Sequence, residues 1–258
     1  MSDGPQLSVH PNPRVPLEVV YEGPHFLVVS KPSGVVTQPG VGHTRDTVLN
    51  GLFARYGKAL QNLGKSRDFG LLHRLDRPTS GLLVVGLSIE GYDGLRQQFA
   101  KRTLLKEYVA LVHGGPRPSK GVERTPIREI RRDGRKQAQV GEHPRAEPAE
   151  TRYEIVSRAR GVSLVQCRIK TGRLHQIRAH MAHRGSPVVG DREYGRRGEL
   201  DRRFARSSKR AFFLHAGTLG FTDPVTGRGV QFNAPLPETH LKFLEELGVA
   251  CPRRWKPR

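Results

Sequence analysis

The chain is cut into short apolar runs of strand length, each closed by a glycine or proline turn, and that rhythm limits the folds open to it. Leu17 to Val29 reads as two short strands around Glu22-Gly23-Pro24, followed by a sharp turn at Lys31-Pro32-Ser33-Gly34. Phe69 to Leu72 and Gly81 to Leu87 read as buried strands. Leu104 to Val112 alternates, with Lys106, Tyr108 and Ala110 on one face. Thr151 to Ser157 and Val162 to Ile169 carry strand signals joined by a turn at Arg158 to Gly161, and further strands are expected around Asp223 to Gly227. Helical spacing is confined to four places. The first is Asp46 to Leu60, and the second is a stripe of Tyr92, Leu95 and Phe99 behind a Ser88 cap. The third is Arg173 to His183 with Gly185 as its stop, and the last surrounds Leu241, Leu244 and Leu247. Gly114 to Pro148 lacks steady periodicity and is expected to be a long loop with one short strand pair. Strands outnumber helices and the turns are short. The expected fold class is therefore α+β, a mixed, mainly antiparallel central sheet flanked by helices and loops.

A length of 258 residues suits one core. The expected organisation is a flexible N-terminal segment over 1–16, one domain over 17–250 and a basic tail over 251–258. No apolar run approaches the roughly 18 residues a membrane helix requires, and the start lacks the basic and apolar stretches of a secretory signal. Cys167 and Cys251 are too few for a disulfide framework or a four-cysteine zinc site, so a reducing, cytoplasmic setting is expected. The charge says more: 44 basic against 24 acidic residues give a formal +20, which favours a polyanionic partner. Arginine dominates the excess, and its planar fork suits phosphate and base stacking, which leans toward nucleic acid over lipid. No G-x-G-x-x-G or G-x-x-x-x-G-K-[ST] loop is present, so nucleotide hydrolysis loses its main support.

The most informative stretch is Leu71-Leu72-His73-Arg74-Leu75-Asp76-Arg77-Pro78-Thr79-Ser80-Gly81-Leu82, a charged loop between apolar flanks. Taken alone, an aspartate there is more often a turn former or an arginine partner than a catalyst. The stretch closely resembles, however, the central motif of the RluA-type RNA pseudouridine synthases, H-R-L-D-x-x-T-S-G, with every specified position met. Three other segments are similar to the family's in the same order: Phe26 to Gly34 with its lysine-proline turn, Lys106 to Gly114, and Lys170 to His180 continuing through Gly185, Pro187 and Gly190-Asp191. The resemblance spans about Leu17 to Leu247.

The resemblance implies the pseudouridine synthase catalytic fold over 17–250, and isomerisation of specific uridines to pseudouridine in ribosomal or transfer RNA without a cofactor. That reaction breaks the bond from ribose to N1 and rejoins the ring through C5. The resemblance makes Asp76 the carboxylate that acts on the nucleotide, by attack on the sugar or by addition to the ring. It makes Arg173 the cation that keeps that carboxylate ionised in a dry pocket. Tyr108 becomes the ring that stacks on the flipped uracil and takes part in a proton transfer. Arg74 becomes the wedge that fills the space the base vacates, where the plainer role is a phosphate or carboxylate contact.

Other features compete for function. His175, His180 and His183 on one helix invite a metal reading, but no cysteine or E-x-x-H pairing joins them, and no metal is expected. Two basic tracts, Arg192 to Arg210 and Arg253 to Arg258, look like phosphate contacts, although an arginine run is usually a solvated face. Trp255 could stack on a base or cover the core. A catalytically inactive RNA-binding or assembly factor on the same scaffold is the alternative to an enzyme. A metal-dependent nuclease lacks clustered carboxylates. The expected partner is RNA, with no membrane and a monomeric chain.

Overall fold

A computed structural model describes residues 7–208 and 211–257. These fall into two compact units, the chain through Leu104 with Gly220–Phe232, and Leu105–Leu219 with the chain from Asn233. The stretch 17–250, expected as one domain, is divided between them. No helix among the described residues is long and apolar enough to cross a membrane.

The first unit is built on an antiparallel ladder of β1 (Glu18–Glu22), β2 (Phe26–Lys31) and β3 (Ser80–Gly86). Leu27 lies opposite Val85 and Val29 opposite Leu83, all four inaccessible to water. Both faces of β2 and β3 are covered, so they read as continuous apolar runs where a half-exposed strand would alternate. Two helices belong to this unit. α1 (Val48–Leu63) opens on a capping box in which the Thr47 hydroxyl oxygen accepts from Asn50 N and the Asn50 side chain accepts from Thr47 N. α2 (Ile89–Lys101) starts at the expected Ser88, whose side chain accepts from Gly91 N. Its inner stripe is as expected in Tyr92 and Leu95, which are buried, while Phe99 stays half-buried and faces the His73 ring. Ser8 to Val15, within the segment expected to be loose, is hydrogen-bonded to α1 through Gln61 and Asn50, and residues 1–6 lie outside the described residues.

The second unit carries β4 (Leu105–His113), β5 (Lys120–Glu123), β6 (Ile127–Arg132), β7 (Arg135–Val140), β8 (Thr151–Ala159) and β9 (Val162–Ile169). β4, β9, β8 and β5 pair in that order, all antiparallel, and β6 and β7 form a separate hairpin. That hairpin is the strand pair expected within Gly114 to Pro148, and β5 is an addition to it. β4 is also flanked by β10 (Leu214–Thr222), which continues through a turn into β11 (Gly229–Asn233). Helices α3 (Gln176–His183), α4 (Glu199–Ser207) and α5 (Glu238–Glu246) complete the set. A core of Val109, Leu111, Leu164, Phe204, Phe213, Phe243 and Trp255 holds β4, β9, α4, α5 and the C-terminal segment together. Trp255 is fully buried there, so of its two expected roles it fills the core one.

The strands expected around Asp223 to Gly227 are β10 and β11, and the turn between them is held by the Asp223 carboxylate, which accepts from the N–H groups of Val225 and Thr226. Two local expectations are corrected. Phe69 to Leu72 is not a strand: Asp68, Phe69 and Gly70 all have positive φ, which keeps the chain in a tight turn over Lys65–Gly70 and leaves Leu71 with a single bridge to Val85. The helix expected from Arg173 begins three residues later, at Gln176, because His175 adopts a left-handed conformation at its N-cap.

Candidate active site

Leu71 to Thr79 joins the helical turn to β3, and two leucines anchor it. Leu71 and Leu75 are each 5% exposed, whereas Arg74 between them is exposed and Asp76 half-buried. Apolar burial thus pins the loop at two points and leaves the charged side chains at its rim. Thr37 reinforces the second point, its hydroxyl donating to Leu75 O at 2.9 Å and accepting from Leu75 N at 3.2 Å. His73 Nε2 accepts from Val84 N at 3.1 Å, which fixes the loop's entry onto β3. Thr79 N donates to Asp76 O at 3.0 Å, closing a turn around Arg77-Pro78 with Asp76 at its first corner.

The lysine-proline turn after β2 holds this loop from beneath. Gly34 N donates to Arg77 O at 2.8 Å, Arg77 Nε returns a bond to Gly34 O at 2.9 Å, and the Ser33 hydroxyl donates to Pro78 O at 2.6 Å. Gly34 has φ 89° and a Cβ would meet nothing within 4 Å, so its glycine serves the backbone conformation and not a close approach.

Lys31 sits at the centre of the turn, only 1% exposed, with Nζ donating to Pro32 O, Val35 O and Arg77 O at 3.0, 2.7 and 3.1 Å. Three carbonyls match the three donors of an ammonium. Burial pushes its pKa down to about 7, opposed by the negative charge of Asp76 and assisted by the positive charge of Arg77. The sequence quoted this lysine as part of a motif without giving it a task. The available signal was its position, the last residue of a strand buried on both faces, where an amine must find its partners inside the protein.

In the second unit Tyr108 lies on β4 opposite Cys167 of β9, 8% exposed, in a row that continues to Tyr153 of β8. Its neighbour Glu107 points to the other face and accepts from Arg168 Nε at 2.8 Å. Alternation along β4 therefore separates Tyr108 from the Glu107 ion pair, as the spacing of the sequence implied.

Arg173 occupies the turn between β9 and α3, and Gln176 sets its backbone. The Gln176 carbonyl oxygen accepts from Arg173 N at 3.1 Å and from the Thr171 hydroxyl at 2.7 Å. Its amide donates to Glu150 O and Thr151 Oγ1, both at 3.0 Å. Gln176 is 4% exposed and uses both ends of its amide on the turn that presents Arg173. The Arg173 guanidinium pairs with Glu147 at 2.8 Å and donates to Pro148 O at 3.2 Å.

Two of the three histidines have local tasks, and His183 is exposed. His180 is fully buried, with one ring nitrogen 2.9 Å from Thr151 Oγ1 and the other 2.9 Å from Thr125 O, and burial lowers its pKa. His175 Nδ1 lies 2.9 Å from Tyr194 OH. No group of three or more potential metal-ligating residues is found among the described residues. In the last basic tract Arg254 donates to Gln166 and stacks on Trp255, Arg253 and Lys256 are exposed, and Arg258 lies outside the described residues, as do Lys209 and Arg210 of the other tract.

The family model described as RNA pseudouridylate synthase matches residues 25–183, which include Lys31, Asp76, Tyr108 and Arg173. An uncharacterized RNA pseudouridine synthase of Bacillus subtilis is 37% identical over 231 residues, covering 90% of this chain and 73% of that protein. The ribosomal large subunit pseudouridine synthase D of Zymomonas mobilis is 36% identical over 225 residues, covering 87% and 70%. Among solved structures, human RNA pseudouridylate synthase domain containing 1 superposes with a TM-score of 0.67 at 28% identity, covering 86% of this chain and 84% of that one. Human RNA pseudouridylate synthase domain containing 4 has a TM-score of 0.70 at 24% identity, with 92% and 95% covered, and speaks for the fold alone.

Proposed function

This chain belongs to the RNA pseudouridylate synthase family, and from that premise we propose that it isomerises uridines of large-subunit ribosomal RNA, with Asp76 as the acting carboxylate. The enzyme class, an RNA pseudouridine synthase, follows from membership. The choice of ribosomal RNA rests on relatives named for the large ribosomal subunit, such as those of Zymomonas mobilis and Xanthomonas campestris, the latter 39% identical over 240 residues. A monomer working in a reducing compartment fits the two cysteines, of which Cys167 is buried and free.

The observation that carries the role of Asp76 is the way its loop is held. Leu71 and Leu75 bury, Thr37 and Lys31 grip the backbone, and the aspartate is left half-exposed beside a turn that fixes its direction. A group that acts on a nucleotide needs that combination of access and fixed position, because a misplacement of about 1 Å can cost on the order of 100-fold in rate. Around it the resemblance distributes the remaining work. Tyr108 stacks on the extruded uracil, Arg173 supplies the positive charge that favours the ionised carboxylate, and Arg74, exposed at the loop's rim, fills the gap in the stack.

Mapping pseudouridines in total RNA from cells with and without this gene tests the substrate. Loss of one or more large-subunit sites is expected. Loss confined to transfer RNA would overturn the substrate, and an unchanged map together with RNA binding in vitro would favour the inactive-factor alternative.

A further inference from the structure

The basic tract from Arg192 divides, in three dimensions, into arginines that are spent and arginines that are not. Arg202 and Arg206 both pair with Glu199, at 3.0 and 2.9 Å, and Arg203 pairs with Glu246 at 3.0 Å. Arg192, Arg196 and Arg197 are exposed, and no ion pair among the described residues engages them. These three line one groove of about 450 Å³ together with Gly190, Asp201 and Arg202. The acid in that lining is turned inward: Asp201 is buried, lies 2.8 Å from His113, and accepts from Gly190 N and Gly198 N.

The groove is also mounted rigidly. Arg178 of α3 is 5% exposed, lies between the rings of Tyr194 and Phe212 at 4.9 and 4.5 Å, and bonds Asp191 at 2.7 and 3.0 Å and Glu193 at 2.8 Å. Asp191 in turn accepts from the N–H groups of Glu193 and Tyr194. Tyr194 OH accepts from Ala138 N at 2.7 Å and lies 2.9 Å from His175. The residues that present Arg192, Arg196 and Arg197 are thereby tied to the helix that directly follows Arg173.

We propose that this groove is a second RNA subsite, which binds the phosphodiester backbone of the substrate away from the target uridine and holds it in register with Arg173. Uncommitted guanidinium forks in a polar, open groove suit phosphate oxygens, contacts that position a strand without reading its sequence. A small anion would gain little from so exposed a site; a polyanion gains from several such charges at once by releasing its counterions. The proposal rests on the chain acting on RNA, and it predicts a separation of binding from chemistry.

The test uses the full chain with Arg192→Gln, Arg196→Gln and Arg197→Gln combined, a large-subunit ribosomal RNA fragment and poly(U) as probes, and a range of KCl concentrations. Expected are a loss of affinity of about 10- to 100-fold at low salt, and a slope of log K against log[salt] shallower by about 2 to 3. The single-turnover rate at saturating RNA should stay within about twofold of wild type. The paired arginines serve as the control, and Arg203→Gln with Arg206→Gln should change affinity less than about threefold. Lysine at 192, 196 and 197 should keep the salt slope, which reports charge in a folded protein. An unchanged slope in the glutamine variant, an equal loss in the control, or a slowed saturating rate with intact affinity would each overturn the subsite. Failure of the wild type to isomerise the ribosomal fragment would sink the substrate assignment instead, and the binding slopes on either RNA would still decide the groove.

Discussion

Asp76, Tyr108 and Arg173 each make a claim that a single substitution can test. Asp76→Asn keeps the side chain's size and removes its charge, so isomerisation should fall by at least about 10³-fold while RNA affinity changes little. Retained turnover would end the assignment. Tyr108→Phe keeps the ring that stacks and deletes the hydroxyl, and a proton-transfer role predicts a rate loss of roughly 10²-fold or more in single-turnover assays. Wild-type turnover would leave Tyr108 with stacking alone. Arg173→Ala should lower turnover well beyond any loss in affinity, and equal losses in both would remove its role as the counter-charge. These three residues were found through motif resemblance, and the local structure explains their presentation. Lys31 and Gln176 were legible only as letters within those motifs. Their tasks depend on bonds to residues up to 46 positions away in the case of Lys31 and 26 in the case of Gln176, which no local pattern encodes.

The elements that present the site are held by polar groups buried among apolar ones, and such groups are costly to disturb. Gln176→Leu would take away the acceptor of the Thr171 hydroxyl and of the Arg173 N–H, and one of two partners from the Glu150 carbonyl and the Thr151 hydroxyl. A loss of about 2 to 4 kcal/mol is expected in urea unfolding, together with a slower reaction because the Arg173 turn is no longer held. Stability equal to wild type would show that water replaces the amide at no cost. Lys31→Met fits the buried space but removes the donor from Pro32 O and Val35 O, while Arg77 O keeps Gly34 N. It should cost on the order of 1 to 3 kcal/mol and loosen the Asp76 loop, visible as faster hydrogen exchange at Thr79 N and Gly34 N. At this scale the strands were legible wherever both faces are buried, because apolar runs of five to eight residues leave few other options. α4 was not, because Glu199 to Ser207 holds three arginines on its outer side and its apolar packing comes from Leu200 and Phe204. Its helical stripe is too thin to outweigh the charge run.

Two histidines in the core of the second unit make the molecule sensitive to acid. His215 and His240 are each 1% exposed, and burial pushes their pKa values down to about 4 and about 3. His240 lies among Phe204 and Phe213, with its ring 4.4 Å from the latter. Both rings fold as the neutral form, so the unfolded chain binds more protons once the pH drops below about 6.5. Stability should be full above that value and fall progressively as the pH descends toward 4 and then 3. His240→Phe, which matches the aromatic surroundings and removes the unpartnered Nε2, should flatten that decline by about half without harming stability at pH 7. An unchanged acid profile would place the sensitivity elsewhere. The formal charge of +20 adds a second whole-chain expectation, that RNA affinity falls steeply with salt, and the groove variants apportion that fall.

The sequence by itself determined the fold class and the family, and it named the candidate carboxylate, because strand periodicity and motif identity are written in consecutive residues. Tertiary structure alone decided which charges are available. Of the arginines from Arg192 to Arg206, three pair with Glu199 or Glu246 and three remain open in a groove, while Arg178, earlier in the chain, is buried between aromatic rings beside Asp191. The physical reason is that an ion pair is chosen by proximity in space, and a guanidinium carries the same letter in the sequence whether its partner is a carboxylate of its own chain or a phosphate of another molecule.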